Sequence, residues 1–553
     1  MKRLISFILA GATILAWGRQ PRANLRVPLD IPLSLSGNFG ELRSNHFHSG
    51  IDFKTQGRTG LPIYCAADGY VSRVVVSPWG FGRAIYVTHP ESGLVTVYGH
   101  LESFAKKIDT PVRERQYKEE SFRIDTTFGP DEIPVKRGEI IGKSGNAGSS
   151  GGPHLHMDVR DAKTEYALDP LEYYRDAIQD NVAPEVRSVV LYPREGLVNG
   201  ASKAVVHAGE NKNASFTAWG RVVPGIKAYD RMTGTTNIYG VKYLTFICDG
   251  DTIYKRVIDH IDFDRTRAVN TLVEYGDVID SNSWVMITQQ PEARPLPDVI
   301  TAEGDGTLEI FEERDYPCQW ILEDNHGNRS RVKFTIKGVR GEIPVPEGDG
   351  TLYLFDSDNL IAENDAVVHI PANTLYNDKI IDVTATDAPA PGYVSRRFKV
   401  GDRHEPLAGN YSLTLPVDKD TIDNKKQYVI VRVDGKSPAA VSTRYENGNV
   451  KADVNRFGSY SVKTDTQAPK ITPVTPAKWA ANRKIVFKIS DNLSGINSYR
   501  GEIDGKWVMF EFDGKTGTLS YVIEPSRVPA GKHTVTMVVT DECGNEARHK
   551  STF

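Results

Sequence analysis

Five residues in the first third of the chain, His48, Asp52, His100, His154 and His156, have the types and spacing of donors around a single hydrolytic metal ion. They fall in three short runs: His48-Ser49-Gly50-Ile51-Asp52, Tyr98-Gly99-His100-Leu101 and Gly152-Pro153-His154-Leu155-His156. A catalytic zinc usually takes three protein ligands from His, Asp or Glu and keeps its fourth position for water. Two imidazoles and one carboxylate would leave that ion a net positive charge, enough to acidify the water. Side chains alternate faces along an extended strand, so His154 and His156 are predicted to point one way and Leu155 the other. His48 and Asp52 are also same-facing in a strand, with Ser49-Gly50 permitting a local kink. Both pairs can therefore address one groove.

The stretches HFHSGIDF, TVYGHL and GNAGSSGGPHLH that carry these residues resemble the lysostaphin-type, or LytM-type, zinc metalloendopeptidases of the M23 family, which cleave peptidoglycan cross-links. The resemblance spans roughly residues 36–172. It implies an antiparallel β-sheet core with the site along a groove, Zn2+ as the cofactor, and a peptidoglycan peptide as substrate. Carried over residue by residue, it makes His48, Asp52 and His156 the zinc ligands and His100 and His154 the metal-free catalytic histidines. Two departures stand out: Met157-Asp158 follows His156 where the family more often has an aromatic residue and Glu, and a charged insertion separates His100 from Gly138. The mechanism implied is peptide-bond hydrolysis by zinc-activated water. One histidine would orient the water or take its proton, and a charged imidazole would steady the oxyanion.

Two rival functions are set against this reading. A LytM-like activator of a wall amidase would use the fold without the metal, but such a regulator is expected to have lost ligands, and none of the five residues is missing. A zinc protease acting on extracellular protein differs from the leading reading only through the resemblance. Elsewhere, His46, His89 and His260 read as structural histidines, paired like most buried polar groups. His404-Glu405 resembles the start of a zincin helix motif, but Pro406 follows and Ala408 stands where the second histidine is required.

The elements that must position these residues read as short strands. Ile63–Tyr64, Tyr70–Val76, Ala84–Thr88 and Leu94–Val97 are β-branched or aromatic runs bounded by Gly, Pro and Ser, and a helix or turn is predicted around Leu171–Ala177. Trp79, Gly80-Phe81-Gly82 and 146–151 are loop candidates for the groove walls. The charge-rich insertion at 103–136 is expected to be a plain surface addition, with a lid over the cleft as the sharper alternative. Within 19–45, Asn38 and Asn45 are candidate donors that would hold the metal latent.

Lys2-Arg3 and the apolar run Leu4–Trp17 read as a signal peptide over 1–18, short for a membrane span, with an uncleaved anchor flanked by Arg19 and Arg22 as the alternative, so the protein is expected to be exported to the periplasm, envelope or exterior. With 553 residues the chain is too long for one core. A net charge of −4 gives no basic signature for nucleic acid. Four cysteines are too few for a disulfide framework in an exported protein, although Cys248 and Cys318 fall in one predicted domain. The fold class is mainly β: a peptidase domain at 19–180, an immunoglobulin-like β-sandwich with an insertion at 181–340, a β-sandwich at 345–466, and another immunoglobulin-like sandwich at 467–553. The first and last sandwiches read as repeats. Ala183-Pro184 matches Ala468-Pro469, Asp230-x3-Gly234 matches Asp491-x3-Gly495, and each repeat closes on Asp-x-x-Gly-Asn, at Asp324–Asn328 and Asp541–Asn545. These acidic turns are read as turn caps rather than calcium loops, because too few oxygen ligands cluster in sequence. The C-terminal domains are expected to position the enzyme on the wall or on a cell-envelope partner, or to act as spacers.

Overall fold

The computed structural model describes residues 23–209, 214–344 and 350–553; the expected signal peptide at 1–18 lies outside them. The chain is mainly β. In the N-terminal domain the strands run in the order Leu35–Gly37, Ile51–Lys54, His154–Asp161, Leu94–Gly99, Arg83–His89, Gly69–Val76 and Ile124–Thr127, each antiparallel to its neighbour. Alternation decides which face is core. Leu155, Met157 and Val159 are fully buried beneath the sheet together with Ile51 and Phe53, which leaves His154, His156 and Asp52 for the opposite face.

The insertion at 103–136 departs from the plain surface addition expected. It contains a helix, Lys106–Lys118, and adds Ile124–Thr127 and Pro134–Val135 to the edge strand Gly69–Val76. The helix buries Ile108 and Val112 and presents its far end to the last domain. Arg113 meets Glu524 at 2.5 Å, Tyr117 packs edge-on against Trp507, and Glu120 just beyond the helix pairs with Arg500 at 2.7 Å. The charge density that marked the segment as solvated instead supplies a docking face.

Residues 185–338 form one ten-stranded sheet in which two long strands, Glu185–Val198 and Ser215–Tyr229, pair along most of their length through register shifts. The segment between Val257 and Met286 folds outward as a 3-10 stretch, Phe263–Leu272, and a helix, Tyr275–Ser281. It reaches the N-terminal domain, where His260–Ile261 pairs with Ala167–Leu168. One buried apolar cluster runs from Leu25 to Ile336, so the boundary expected at 180/181 separates sheets but not cores. Lys242 seals that junction, bonding Asp169 at 2.7 Å and Glu172 at 2.9 Å while only 5% exposed. Breaking a buried pair of this kind typically costs about 3–5 kcal/mol. Cys248 and Cys318 face each other across paired strands, both thiols free and their sulfurs 3.2 Å apart.

Farther along, two five-stranded sheets between Asn359 and Thr464 enclose a core of their own, and two four-stranded sheets between Lys470 and Thr552 enclose another. The last domain folds back on the first: Arg83 pairs with Glu511 at 2.8 Å, Trp79 meets Phe512, and Lys515 donates to the carbonyls of Asn146 and Ser150. No helix among the described residues is long and apolar enough to cross a membrane.

Candidate metal centre and active site

Strand register assembles the site. His156 stands directly opposite Asp52 on one side and Gly99 on the other, so the central strand carries His154 and His156 between the strand of Asp52 and the strand that delivers His100. Gly50 allows the approach of the first pair: a side chain there would meet the Met157 carbonyl at 2.2 Å. His100 follows its strand in the left-handed region, φ 59°. That conformation is uncommon for a residue with a Cβ and concentrates at functional sites. It is held by the bond from the His100 amide to the Phe81 carbonyl, 2.8 Å.

Three donor atoms converge. His48 Nε2 lies 3.1 Å from Asp52 Oδ1 and 3.0 Å from His156 Nδ1, and His156 Nδ1 lies 2.9 Å from Asp52 Oδ1. Tetrahedral ligands at ordinary zinc distances sit roughly 3.3 Å apart, so the triangle is of the right size. The far side of each ring is committed. His48 Nδ1 donates to the Asn38 carbonyl at 2.6 Å, and His156 Nε2 donates to Asp158 Oδ1 at 2.6 Å. Those bonds turn His48 Nε2, His156 Nδ1 and a carboxylate oxygen toward a common point, an arrangement that calls for a cation. The residues fit zinc, bound through His48 Nε2, Asp52 and His156 Nδ1.

The surrounding electrostatics agree. Burial alone would raise the Asp52 carboxyl, but the charge on His48 and hydrogen bonds from His154, His156 and His48 hold it well below the usual carboxylate range. Burial would likewise lower His156, yet Asp158 and Asp52 push it up to about 9; the pocket stabilises positive charge where a metal would supply it. Arg43 reaches Asp52 Oδ2 at 3.2 Å from the solvent side.

The two remaining histidines stand beside this centre. The rings of His100 and His154 are 4.7 Å apart, and His154 Nε2 is 3.5 Å from Asp52 Oδ1. His100 Nδ1 donates to the Ala147 carbonyl and His154 Nδ1 lies against the Gly152 carbonyl, each at 2.8 Å, so the Nε2 of His154 faces Asp52. Burial, and then the charges of His156 and His154, push the His100 imidazole down to about 3, so it is neutral across the physiological range. All five residues singled out in the sequence are therefore brought together.

Asn38 and Asn45 do not take the latent role expected of them. The Asn38 amide is bonded at both ends to Gly240, at 2.8 and 2.9 Å, and Asn45 is tied to Asn270 at 3.0 Å. The useful atom of Asn38 is its main-chain oxygen, which orients His48.

Asp158 is the residue that sequence reasoning undervalued. Its side chain is fully buried, accepts from Ser49 Oγ at 3.0 Å, pins His156 with one oxygen and pairs with Arg160 at 2.5 Å through the other. The signal was present in His154-Leu155-His156-Met157-Asp158-Val159-Arg160, since residues 154, 156, 158 and 160 share one face of a strand. Phe81, in the loop expected to wall the groove, stacks its ring on His156 with centroids 4.6 Å apart. His89 is structural as expected, bonded to the Asp68 carbonyl and to Thr96 Oγ1.

Comparison with known proteins is consistent with this geometry. The model of peptidase family M23 matches residues 46–117, and that of a Zu5-like domain matches 351–465. DD-carboxypeptidase/endopeptidase Mpg of Neisseria meningitidis is 29% identical over 119 residues, 22% of this chain and 21% of that protein. An uncharacterized metalloprotease of Haemophilus influenzae is 34% identical over 112 residues, 20% of this chain and 18% of that protein. Peptidoglycan DD-endopeptidase ShyA of Vibrio cholerae is 29% identical over 144 residues, 25% of this chain and 27% of that protein. The match thus spans about a fifth to a quarter of these relatives. The segment matched by the family model holds His48, Asp52 and His100, and the N-terminal domain is similar to proteins of peptidase family M23.

Proposed function

We propose that the protein is an exported zinc endopeptidase that hydrolyses peptide cross-links or stem peptides of peptidoglycan. The observation that carries this reading is the convergence of His48 Nε2, Asp52 Oδ1 and His156 Nδ1, all within 3.1 Å of one another, beside the rings of His100 and His154. A zinc ion held there supplies Lewis acidity toward the scissile carbonyl and acidifies the attacking water. The protein does the rest. His100 and His154, each fixed by a main-chain carbonyl, are placed to orient the water and accept its proton, then return it to the departing amine. Asp158 holds the ring of His156 and keeps its proton on Nε2. A non-catalytic regulator has no use for this set of converging donors, and similar proteins include peptidoglycan DD-endopeptidase ShyA and DD-carboxypeptidase/endopeptidase Mpg.

Export to the cell envelope rests on the Lys2-Arg3 and Leu4–Trp17 pattern. The C-terminal β-domains are assigned to positioning, on the wall or on an envelope partner, because nothing catalytic was found in their sequence and the last of them packs against the walls of the first domain. The test is mass spectrometry of muropeptides released from purified peptidoglycan by the mature protein, alongside His154→Ala and a zinc-stripped sample. New peptide termini from the wild type alone are expected; intact sacculi from a zinc-loaded wild type would overturn the assignment.

A further inference from the structure

Two clusters of three aspartates stand at the entries to the repeated β-domains, far in sequence from the histidine site. Asp180, Asp230 and Asp324 bring carboxylate oxygens within 4.8 Å of one another, as do Asp465, Asp491 and Asp541. Asp180, Asp230 and Asp324 are 6%, 2% and 2% exposed; Asp465 and Asp541 are 1% and 0% exposed. Several bonds recur in both clusters. Thr233 donates its amide to Asp180 Oδ1 at 2.9 Å, and Ser494 donates its amide to Asp465 Oδ2 at 2.9 Å. Asn328 and Asn545, which close the two Asp-x-x-Gly-Asn turns, each bond their own aspartate at 2.8 Å. Each also reaches the main-chain oxygen of the entering residue, Asp180 at 3.3 Å and Asp465 at 2.9 Å. The sequence repeat is therefore a repeated oxygen cage, whose third member comes from the linker and is invisible in the turn itself.

Turn capping explains only part of these contacts. The Asp324 carboxylate is satisfied by the amides of His326 and Asn328 and the side chain of Asn328. By contrast, Asp180 Oδ2, Asp230 Oδ1 and Asp491 Oδ1 are buried and accept no hydrogen bond from the protein. Asp230 in particular is sealed at 2% exposure among two other carboxylates. Burial, followed by the charge of Asp324 and then of Asp180, pushes the Asp230 carboxyl up to about 8. A proton is what such a site takes when no cation neutralises it.

We propose that each cluster is a calcium site, in which the ion clamps the segment entering a β-domain to two loops of that domain. The donors are oxygens only and carry three carboxylates, which suits a hard cation and disfavours the imidazole- and thiolate-seeking metals. They come from linkers and turns rather than from a rigid frame, which suits the loose, high coordination number of calcium better than the strict octahedron of magnesium. Asp180 follows the last helical turn of the peptidase domain, Arg175–Ala177, and Asp465 follows the strand Gly458–Thr464. Calcium would thus stiffen the two junctions that set where the peptidase sits relative to the domains behind it.

The experiment is equilibrium dialysis of the full zinc-loaded chain against calcium, with thermal unfolding followed in parallel. The variants are Asp230→Asn, Asp491→Asn and the two combined, each checked for native circular dichroism. The wild type is expected to bind two calcium ions, each single variant one and the pair none, with calcium raising the unfolding temperature of the wild type by a few degrees and of the pair not at all. The wild-type stoichiometry needs no variant. The proposal is overturned if the wild type takes up no calcium at millimolar concentration, if the pair binds as much as the wild type, or if magnesium binds as tightly.

Discussion

The centre formed by His48, Asp52 and His156 and the cluster of Asp180, Asp230 and Asp324 are both buried triads of converging donors, yet they are built by different means. In the first, strand register sets the positions: His156 lies opposite Asp52 in a ladder, and the second nitrogen of each imidazole is tied down by Asn38 or Asp158. In the second, turns and a linker set the positions, all donors are oxygens, and some of those oxygens have no other partner. A sheet supplies the rigid placement that chemistry on a substrate demands. A loop-built cage stays adjustable, and it welds together whatever segments contribute to it. On the two proposals above, the first triad would hold an ion that works and the second an ion that anchors.

The sharpest way to break the comparison is His156→Ala. Zinc content is expected to fall from one to none and muropeptide release to background, with the two calcium ions retained; elemental analysis and mass spectrometry report both. If zinc loss also emptied the calcium sites, the triads would not be independent. A smaller effect is expected for His154→Ala, which should keep zinc while lowering kcat roughly 10²–10⁴-fold, the usual contribution of a positioned acid or base. Equal loss of zinc would make His154 a ligand instead.

Asp158→Asn probes the pinning that distinguishes the first triad. Zinc affinity measured by chelator competition is expected to weaken about 10–100-fold, and unfolding should come earlier because Arg160 loses its buried partner. An unchanged affinity would reduce Asp158 to a packing residue.

The subtlest contrast is one of pH. In calcium-free protein Asp230 keeps its proton up to about 8, whereas an unfolded aspartate releases it near ~3.9. Between those values the folded state binds the extra proton, so stability falls as pH rises through that window. Calcium displaces the proton and should flatten the slope, while Asp230→Asn should lack it from the start. Unfolding temperatures at pH 5 and pH 8, with and without calcium, measure this.

The sequence made the five-residue site legible because its chemistry is compressed into short runs with strand periodicity. His154-Leu155-His156 fixes which side chains share a face, and the order of His48, Asp52 and His100 completes the set. Asp158 escaped notice because it was seen as a departure from a family pattern rather than as the next same-face residue. The helix at Lys106–Lys118 was missed because its charged face looked solvated; it is partnered by residues some 400 positions away, such as Glu524, at a sequence separation of 411. No local pattern encodes such a partner.

By itself, the sequence determined the mainly β class, the five-residue site and the repeat of Asp-x-x-Gly-Asn turns, since each is written in alternation and local spacing. Only the tertiary structure decided that the first two domains share one core, that the insertion docks the last domain, and that Asp180 and Asp465 complete the acidic cages. The physical reason is common to all three: burial and charge depend on distances in space, and chain closure brings together groups whose separation along the sequence carries no signal.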